Sequence, residues 1–366
     1  MDYRADFLAH FSAEADAPLL YLPDLTLWHS ENRRRGTLPE EWREASLPEI
    51  ARDLGAPAWQ ILQPWNVETP GVEVRTTEDD AERLTHIETP AGILSARWSL
   101  GPDGNWWQME YPVKTAADLP AALQFAQART YVLDDGAVAQ LEEVEEHCII
   151  AVEIPTRPYA DLIYNLLGMS EGFILLHENP PALQDLVALL EDKLQSFVHQ
   201  LAALPCQTFF AADNLDGQLI SPPVFEEHLA VSYARTTEVL HQRGKHLLVH
   251  AGGPIGRLLP ALAAAGVDGV EGLAGPPQGD TSLAQARQSA GPDITLWGGI
   301  PQDFLFAARS PEEFEDAVVQ AARQARATPR IILGVADRVP ADAEVERLRA
   351  IPSLIEGATR DEIGRA

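Results

Sequence analysis

The sequence predicts an α/β chain folded as an (α/β)8 TIM barrel with an N-terminal antiparallel β insertion. Three observations carry that expectation. From about residue 147 onward, short apolar runs alternate with amphipathic helical stretches, the signature of parallel strands with crossover helices. The runs lack polar alternation, so both faces of the sheet are covered. No G-x-G-x-x-G follows any run, which removes the phosphate cradle of an open dinucleotide-binding sheet.

Taken in order, the part before about residue 130 differs in texture from the rest. It holds seven of the eight tryptophans: Trp28, Trp42, Trp59, Trp65, Trp98, Trp106 and Trp107. VEVRTT, ERLTHIET, GILSARWSL and NWWQMEYPV are alternating runs separated by Glu-Thr-Pro-Ala-Gly and Gly-Pro-Asp-Gly-Asn turn signals, a small antiparallel meander. We expect one barrel domain over 1–366, with residues 60–115 as a small β lid. HCIIAVEI (147–154) then reads as a buried strand. Leu183, Leu186, Val187, Leu190, Leu194, Phe197, Val198 and Leu201 recur at three- and four-residue steps in a helix over 180–201. QTFFAAD (207–213), KHLLVH (245–250), VDGVE (267–271), DITLWGG (293–299) and RIILGVAD (330–337) follow as strands. Helices are expected between them over 223–242, 254–265, 281–290, 301–308 and 311–326, and a last one over 341–358. Ser221 is the expected N-cap of the first of these, and Gly266 and Gly291 are helix stops.

Composition narrows the function. The 366 residues carry 27 basic and 55 acidic side chains, a formal charge of −28, and only Lys114, Lys193 and Lys245 are lysines. Such a surface repels phosphate backbones and anionic lipid, so nucleic acid and membrane are not expected partners. No run of about 18 apolar residues is present. The acid-bearing start, MDYRADFLAHFSAEAD, does not read as a signal peptide. Two cysteines, Cys148 and Cys206, exclude a disulfide framework. The expectation is a cytoplasmic enzyme acting on a small molecule, with homodimer formation open.

Barrel chemistry sits at the C-terminal strand ends. Asp213 and Asn214, His250, Glu271, Trp297, and Asp337 with Arg338 fall there. Gly252 and Gly253 after His250, and Gly298 after Trp297, would let a ligand approach the backbone. The N–H groups starting the helix after Gly253 could hold an anion. Asp213, His250 and Glu271 form a candidate catalytic set, and a candidate ligand set for a divalent metal. His250, facing a cleft above a glycine turn, is expected to tolerate substitution within about 0.5 kcal/mol. Against function, Asp337 and Asn214 could equally be helix N-caps, and Trp297 could be simple packing. Arg33 to Arg35 form the one dense basic cluster, an anion clamp or a solvated loop.

YNLLGMSEGFILLHENPPALQDLVALLEDKL, LISPPVFEEHLAVSYARTTEVLHQRGKHLLVHAGG, ITLWGGIPQDFL and IILGVADRVPADAEVERLRA resemble successive blocks of the uroporphyrinogen decarboxylase superfamily. IETPAGIL and WWQMEYPVKTAADL are similar to its upstream region, so the likeness spans about residues 19–358. The resemblance implies an (α/β)8 barrel with a cleft at its C-terminal face. It implies one of two chemistries: decarboxylation of uroporphyrinogen without a cofactor, or methyl transfer between a corrinoid protein and an acceptor, usually with zinc. The chain departs from both patterns. Glu31 to Glu40 keeps Leu-Pro-Glu but carries its arginines out of register with the decarboxylase motif, and the Phe-Ser-Asp-Ile segment is replaced by QILQPWNVET. The methyltransferase His-x-Cys is His250-Ala251-Gly252, and no cysteine follows Cys206. The expectation is a methyltransferase-like enzyme using a corrinoid or a methylated small substrate, with His250, Glu271 and Asp213 on a metal. Trp297, Gly252, Gly253, Gly298, Asn214, Arg33 and Arg35 would line the substrate. A porphyrinogen or smaller carboxylate decarboxylase is the alternative, and a non-catalytic barrel that binds a tetrapyrrole or partner is a third.

Overall fold

A computed structural model describes residues 2–12, 17–101 and 106–363, with side chains through residue 358. The chain divides into two compact units. The first, residues 1–63, 139–154 and 204–366, contains eight parallel strands. They are β1 (Leu20–Tyr21), β2 (Ala58–Leu62), β3 (Cys148–Ile154), β4 (Thr208–Leu215), β5 (His246–Ala251), β6 (Gly269–Leu273), β7 (Thr295–Ile300) and β8 (Ile331–Val335). Their order in the sheet is β1-β8-β7-β6-β5-β4-β3-β2, with every pairing parallel. That neighbour-by-neighbour order, with helices between successive strands, is a TIM-barrel-like α/β fold. Seven ladders join the eight strands; among the described residues no ladder links β1 to β2.

Side-chain parity explains what fills the curled sheet. Leu20 and Leu22, Trp59, Ile149 and Ala151, Phe210, Leu248, Trp297 and Ile332 form one buried cluster, closed from below by Phe7 of the helix Tyr3–Ala9. Residues two apart on a strand share a face, so these positions mark the inward side of each strand. Trp59 and Trp297 meet edge to face at 4.8 Å between ring centres, and Phe7 lies 5.9 and 6.2 Å from them. Aromatic rings of this size exclude water from the barrel's lower half.

The second unit, residues 64–138 and 155–203, is larger than the 60–115 lid expected from sequence. Its meander is present as Glu73–Glu78, Glu82–Thr89, Gly92–Leu100 and Trp106–Glu110, in sequential antiparallel order. Of the expected Gly-Pro-Asp-Gly-Asn turn, residues 102–105 lie outside the described residues. Trp106 and Trp107 point to opposite faces, as adjacent strand residues must; Arg83 stacks on Trp106, and Trp107 is exposed. The unit is larger because the helix Pro181–Leu201 belongs to it. The helix has the expected bounds, but its apolar stripe packs with Leu119, Ala122 and Ala126 of the helix Leu119–Ala128. Periodicity identifies a helix and its buried face, but not the partner it is buried against.

The stretch expected as one helix over 223–242 is two, Pro222–His228 and Ala230–His241, broken at Leu229. Ser221 is the N-cap residue and Gly291 closes its helix at φ 78°. No helix among the described residues is long and apolar enough to cross a membrane.

Candidate functional site

Continuing the inward parity of each strand past the aromatic plug reaches a polar layer. Leu22 leads to Asp24, Ala151 to Glu153, and Leu248 to His250. Glu271 stands in register with both His250 and Trp297, so it too faces inward. Asp337 follows β8 on a left-handed backbone at φ 64°, a conformation that Asp tolerates better than most residues.

The centre of this layer is a carboxylate–imidazole pair. His250 Nδ1 and Glu271 Oε2 are 2.7 Å apart, with side chains 17% and 8% exposed. With Glu271 ionised, the bond requires the proton on Nδ1, which fixes the tautomer and leaves Nε2 as the acceptor nitrogen. Nε2 lies 3.7 Å from Asp337 Oδ1, and Arg338 Nε lies 3.6 Å from the same oxygen. Both separations exceed hydrogen-bond reach, and Asp337 Oδ1 is an enclosed atom without a hydrogen-bond partner. Asp24 Oδ1 accepts the Thr26 amide at 2.9 Å and the Thr26 hydroxyl at 2.5 Å.

Burial alone would depress His250's pKa, but Glu271's charge and hydrogen bond, with Asp337's charge, raise it above the ordinary 6.5. Glu271 is raised above the usual carboxylate value by burial, with Asp24 and Asp337 adding repulsion against the pull of His250. Burial also raises Asp24 and Glu153; the charge of Asp337 acts in the same direction on Asp24, and that of Asp213 on Glu153. The pair thus holds a shared proton tightly, among carboxylates that favour positive charge.

The structure separates the expected residues into two groups. His250 and Glu271 come together. Asp213 does not join them: opposite in parity to Phe210, it points to the helix layer, where the Tyr233 hydroxyl donates to it at 2.6 Å in a fully buried contact. The three-residue ligand set is therefore not assembled. Among the described residues, no group of three or more His, Cys, Asp or Glu side chains is placed to hold a metal ion. Trp297 sits below the layer as packing, 2% exposed, its indole N–H donating to Leu22 O at 2.9 Å.

The glycines expected to admit a ligand are required by the chain itself. A Cβ at Gly252 would collide with the Asn214 side chain, and one at Gly298 (φ 140°) with the Leu273 carbonyl of β6. Gly253, at φ 90°, lies against Asp216. Asn214 is exposed at the end of β4 with φ 49°. The anion slot after Gly253 is filled: Asp280 Oδ1 accepts from Ile255 N and Gly256 N at 3.1 and 3.0 Å. Arg33 and Arg35 lie on the helix Thr26–Arg35. Arg35 pairs with Glu31 and Asp342, Arg34 pairs with Glu31, and Arg33 is exposed. They form no free clamp. The ring is the partner of a buried carboxylate rather than a free side chain above the turn, so the geometry favours a stability cost on substituting His250 over tolerance.

Sequence reading missed Asp24 and Glu153. Glu153 was legible by parity, two residues beyond Ala151. Asp24 was hidden because β1 has only two residues. Neither cysteine supplies a thiolate, since burial pushes both thiols up to about 11.

No protein-family model matches the chain, and no curated protein sequence matches it. Among solved structures, it is similar to a methyltransferase from Methanosarcina mazei, with 13% identity and a TM-score of 0.58 over 97% of this chain and 98% of that one. A D-psicose 3-epimerase from Clostridium cellulolyticum H10, solved with D-tagatose, aligns at 10% identity and a TM-score of 0.37, covering 62% of this chain and 83% of that one. The first likeness is one of fold.

Proposed function

We propose that the chain is a methyltransferase-like enzyme that moves a methyl group between small molecules at the C-terminal end of its barrel. The carrying observation is the His250–Glu271 pair at the strand ends, with Nε2 on the side of Asp337. In this reading His250 Nε2 takes the proton of an acceptor X–H as X bonds to the methyl carbon. The donor's bond to that carbon breaks, and its electron pair leaves with the donor. Glu271 holds the imidazole in the competent tautomer and stabilises the imidazolium that forms. No step is routed through a metal, because the ligand set implied by the family resemblance is not assembled here. Full-length likeness to a methyltransferase fold, and the sequence blocks resembling the superfamily, support the class of reaction.

Decarboxylation of a porphyrinogen fits less well. An eight-carboxylate substrate would meet Asp24, Glu153, Glu271 and Asp337, with the Arg34 and Arg35 charges already paired.

The test offers purified protein isotope-labelled methyl donors of three kinds: methylated corrinoid protein, methylated ammonium or sulfonium, and methyl thioether. A thiol acceptor is present, and mass spectrometry reads the product. We expect label in the thioether product, and a loss of about 10²–10⁴-fold for His250→Ala. Uroporphyrinogen is expected to remain unconverted. Formation of its four-carboxyl product, with no labelled thioether from any donor, would overturn the reading.

A further inference from the structure

The loop that follows β6, residues 274–282, is fastened on both sides. A bond from Gly279 N to Gly275 O at 3.1 Å closes it into a turn. Asp280 ties it to the loop after β5 through the Ile255 and Gly256 amides. Gln278 ties it in the other direction. Its Oε1 accepts from Gln302 N beyond β7 at 2.9 Å, which leaves Nε2 as the donor to Ala336 O beyond β8 at 3.3 Å. The loop thus joins the connection that follows His250 to the residue that precedes Asp337.

The backbone around Asp337 is pinned on both sides. Ala336 N donates to Ile300 O at 2.7 Å, and Val339 N donates to Asp24 O at 2.8 Å. On this backbone Asp337 Oδ1 stops 3.7 Å from His250 Nε2 and 3.6 Å from Arg338 Nε, and accepts no hydrogen bond among the described residues. Opposite charges this close gain by moving together until a hydrogen bond forms, and an enclosed oxygen without one is costly. The gap is therefore kept by the backbone against the preference of the side chains. Of the three bonds that hold Ala336 and Val339, only the one from Gln278 comes from a side chain.

We propose that Gln278 is a positioning residue that holds Asp337 back from His250 Nε2 and so keeps that nitrogen open to a proton; this rests on the reading of His250 as the base and names what regulates it. With the tie released, Asp337 closes on Nε2. The imidazolium is then capped at both nitrogens, by Glu271 at Nδ1 and by Asp337 at Nε2, and an acceptor's proton has nowhere to go. The charged groups that bear on the ring are Glu271 from β6, and Asp337 and Arg338 beyond β8. Asp24 bears on Glu271, Glu153 of β3 lies in the same layer, and β4 presents the uncharged Phe210 at 6.3 Å between ring centres. Of these, Asp337 is the one whose backbone Gln278 holds.

The experiment reads the protonation of His250 by NMR in full-length, chelator-treated protein with carbon-13-labelled histidine, its signal assigned by the loss of that signal in His250→Gln. Gln278→Met keeps length and neutrality and removes both bonds, and Gln278→Ala removes the chain as well. At the pH where half of the wild-type rings are protonated, more than about three quarters should be protonated in either variant. Asp337→Asn removes the closing charge, so adding Gln278→Met to it should shift nothing further. Asp337→Glu, one methylene longer, should cap the ring with Gln278 intact, which keeps the proposal testable if the Gln278 variants fail to fold. For the labelled methyl donor, kcat/KM of Gln278→Met should fall at least about twofold at that pH and recover at higher pH, where the neutral ring releases Asp337. Damage to the loop alone would lower it at every pH. Protonation unchanged or reduced in the folded Gln278 variants overturns the proposal, as does the same rise in the Asp337→Asn background. Raised protonation without methyl transfer from any donor removes the reaction and keeps the tie. Methyl transfer with an unmoved ring keeps the reaction and removes the tie.

Discussion

His250 is held from two sides by opposite influences, and the balance makes its behaviour with pH predictable. Burial would lower its pKa; Glu271 first, and Asp337 after it, raise it instead. The free base therefore forms only at a pH above 6.5, and the acid limb of kcat/KM should lie there. Replacing Glu271 by Gln removes the main charge that raises the pKa and leaves burial dominant. The limb should then move to lower pH while the maximal rate falls, a shift that a merely structural role for Glu271 would not produce. A limb that stays in place would remove Glu271 from its positioning role. The same pair sets the stability response. His250→Ala leaves a buried carboxylate unpaired and should cost about 1–3 kcal/mol. Glu271 has a raised pKa and takes up a proton as pH falls, so that loss should be larger at pH 8 than at pH 5. Denaturant midpoints of both proteins at the two pH values check the sign. His250 and Glu271 were legible in sequence because each closes an apolar strand. Asp213 satisfied the same rule and was misread, because closing an apolar strand does not say which face a side chain takes: three residues on from the inward Phe210, Asp213 turns to the helix layer and Tyr233.

Strand ends in this barrel are shaped by glycines that serve neighbouring backbone. Gly298 sits where the β6–β7 register shifts, opposite Leu273, whose carbonyl occupies the space of a side chain. Gly298→Ala should therefore destabilise the protein by about 2–3 kcal/mol, through both the disfavoured backbone angle and the collision. A thermal melt within error of wild type would return the residue to the cleft. Helices were easier to read than their neighbours. The stripe along Pro181–Leu201 announced its length and buried face, yet the partner, the helix Leu119–Ala128, lies more than sixty residues earlier. Loop chemistry was harder still. The amides of Ile255 and Gly256 looked like an anion site until Asp280, 25 residues on from Ile255, proved to fill it.

At the scale of the molecule, alternation of strand and helix conveyed the parallel sheet, because covered strands must be apolar throughout. It did not convey how completely the sheet joins upon itself. The strand count expected of a barrel is reached, but the first strand has two residues and pairs only with β8, through Leu20 opposite Ile332 and Tyr21 opposite Leu333. Side chains bridge the remaining gap: Trp297 donates its indole N–H to Leu22 O just beyond β1 and meets Trp59 of β2 edge to face. Such a seam is sealed by packing rather than by amide pairing, and that difference is visible to deuterium. In native-state exchange, amides within β5, β6 and β7 should exchange only by global unfolding. Those of β1 and the free edge of β2 should exchange earlier, through a local opening that Trp297→Phe accelerates by removing the indole donor. Uniform protection around all eight strands would mean that the seam is as firm as the ladders. The floor of the site and the seam share Trp297, so a breathing motion at the seam would be felt directly beneath His250.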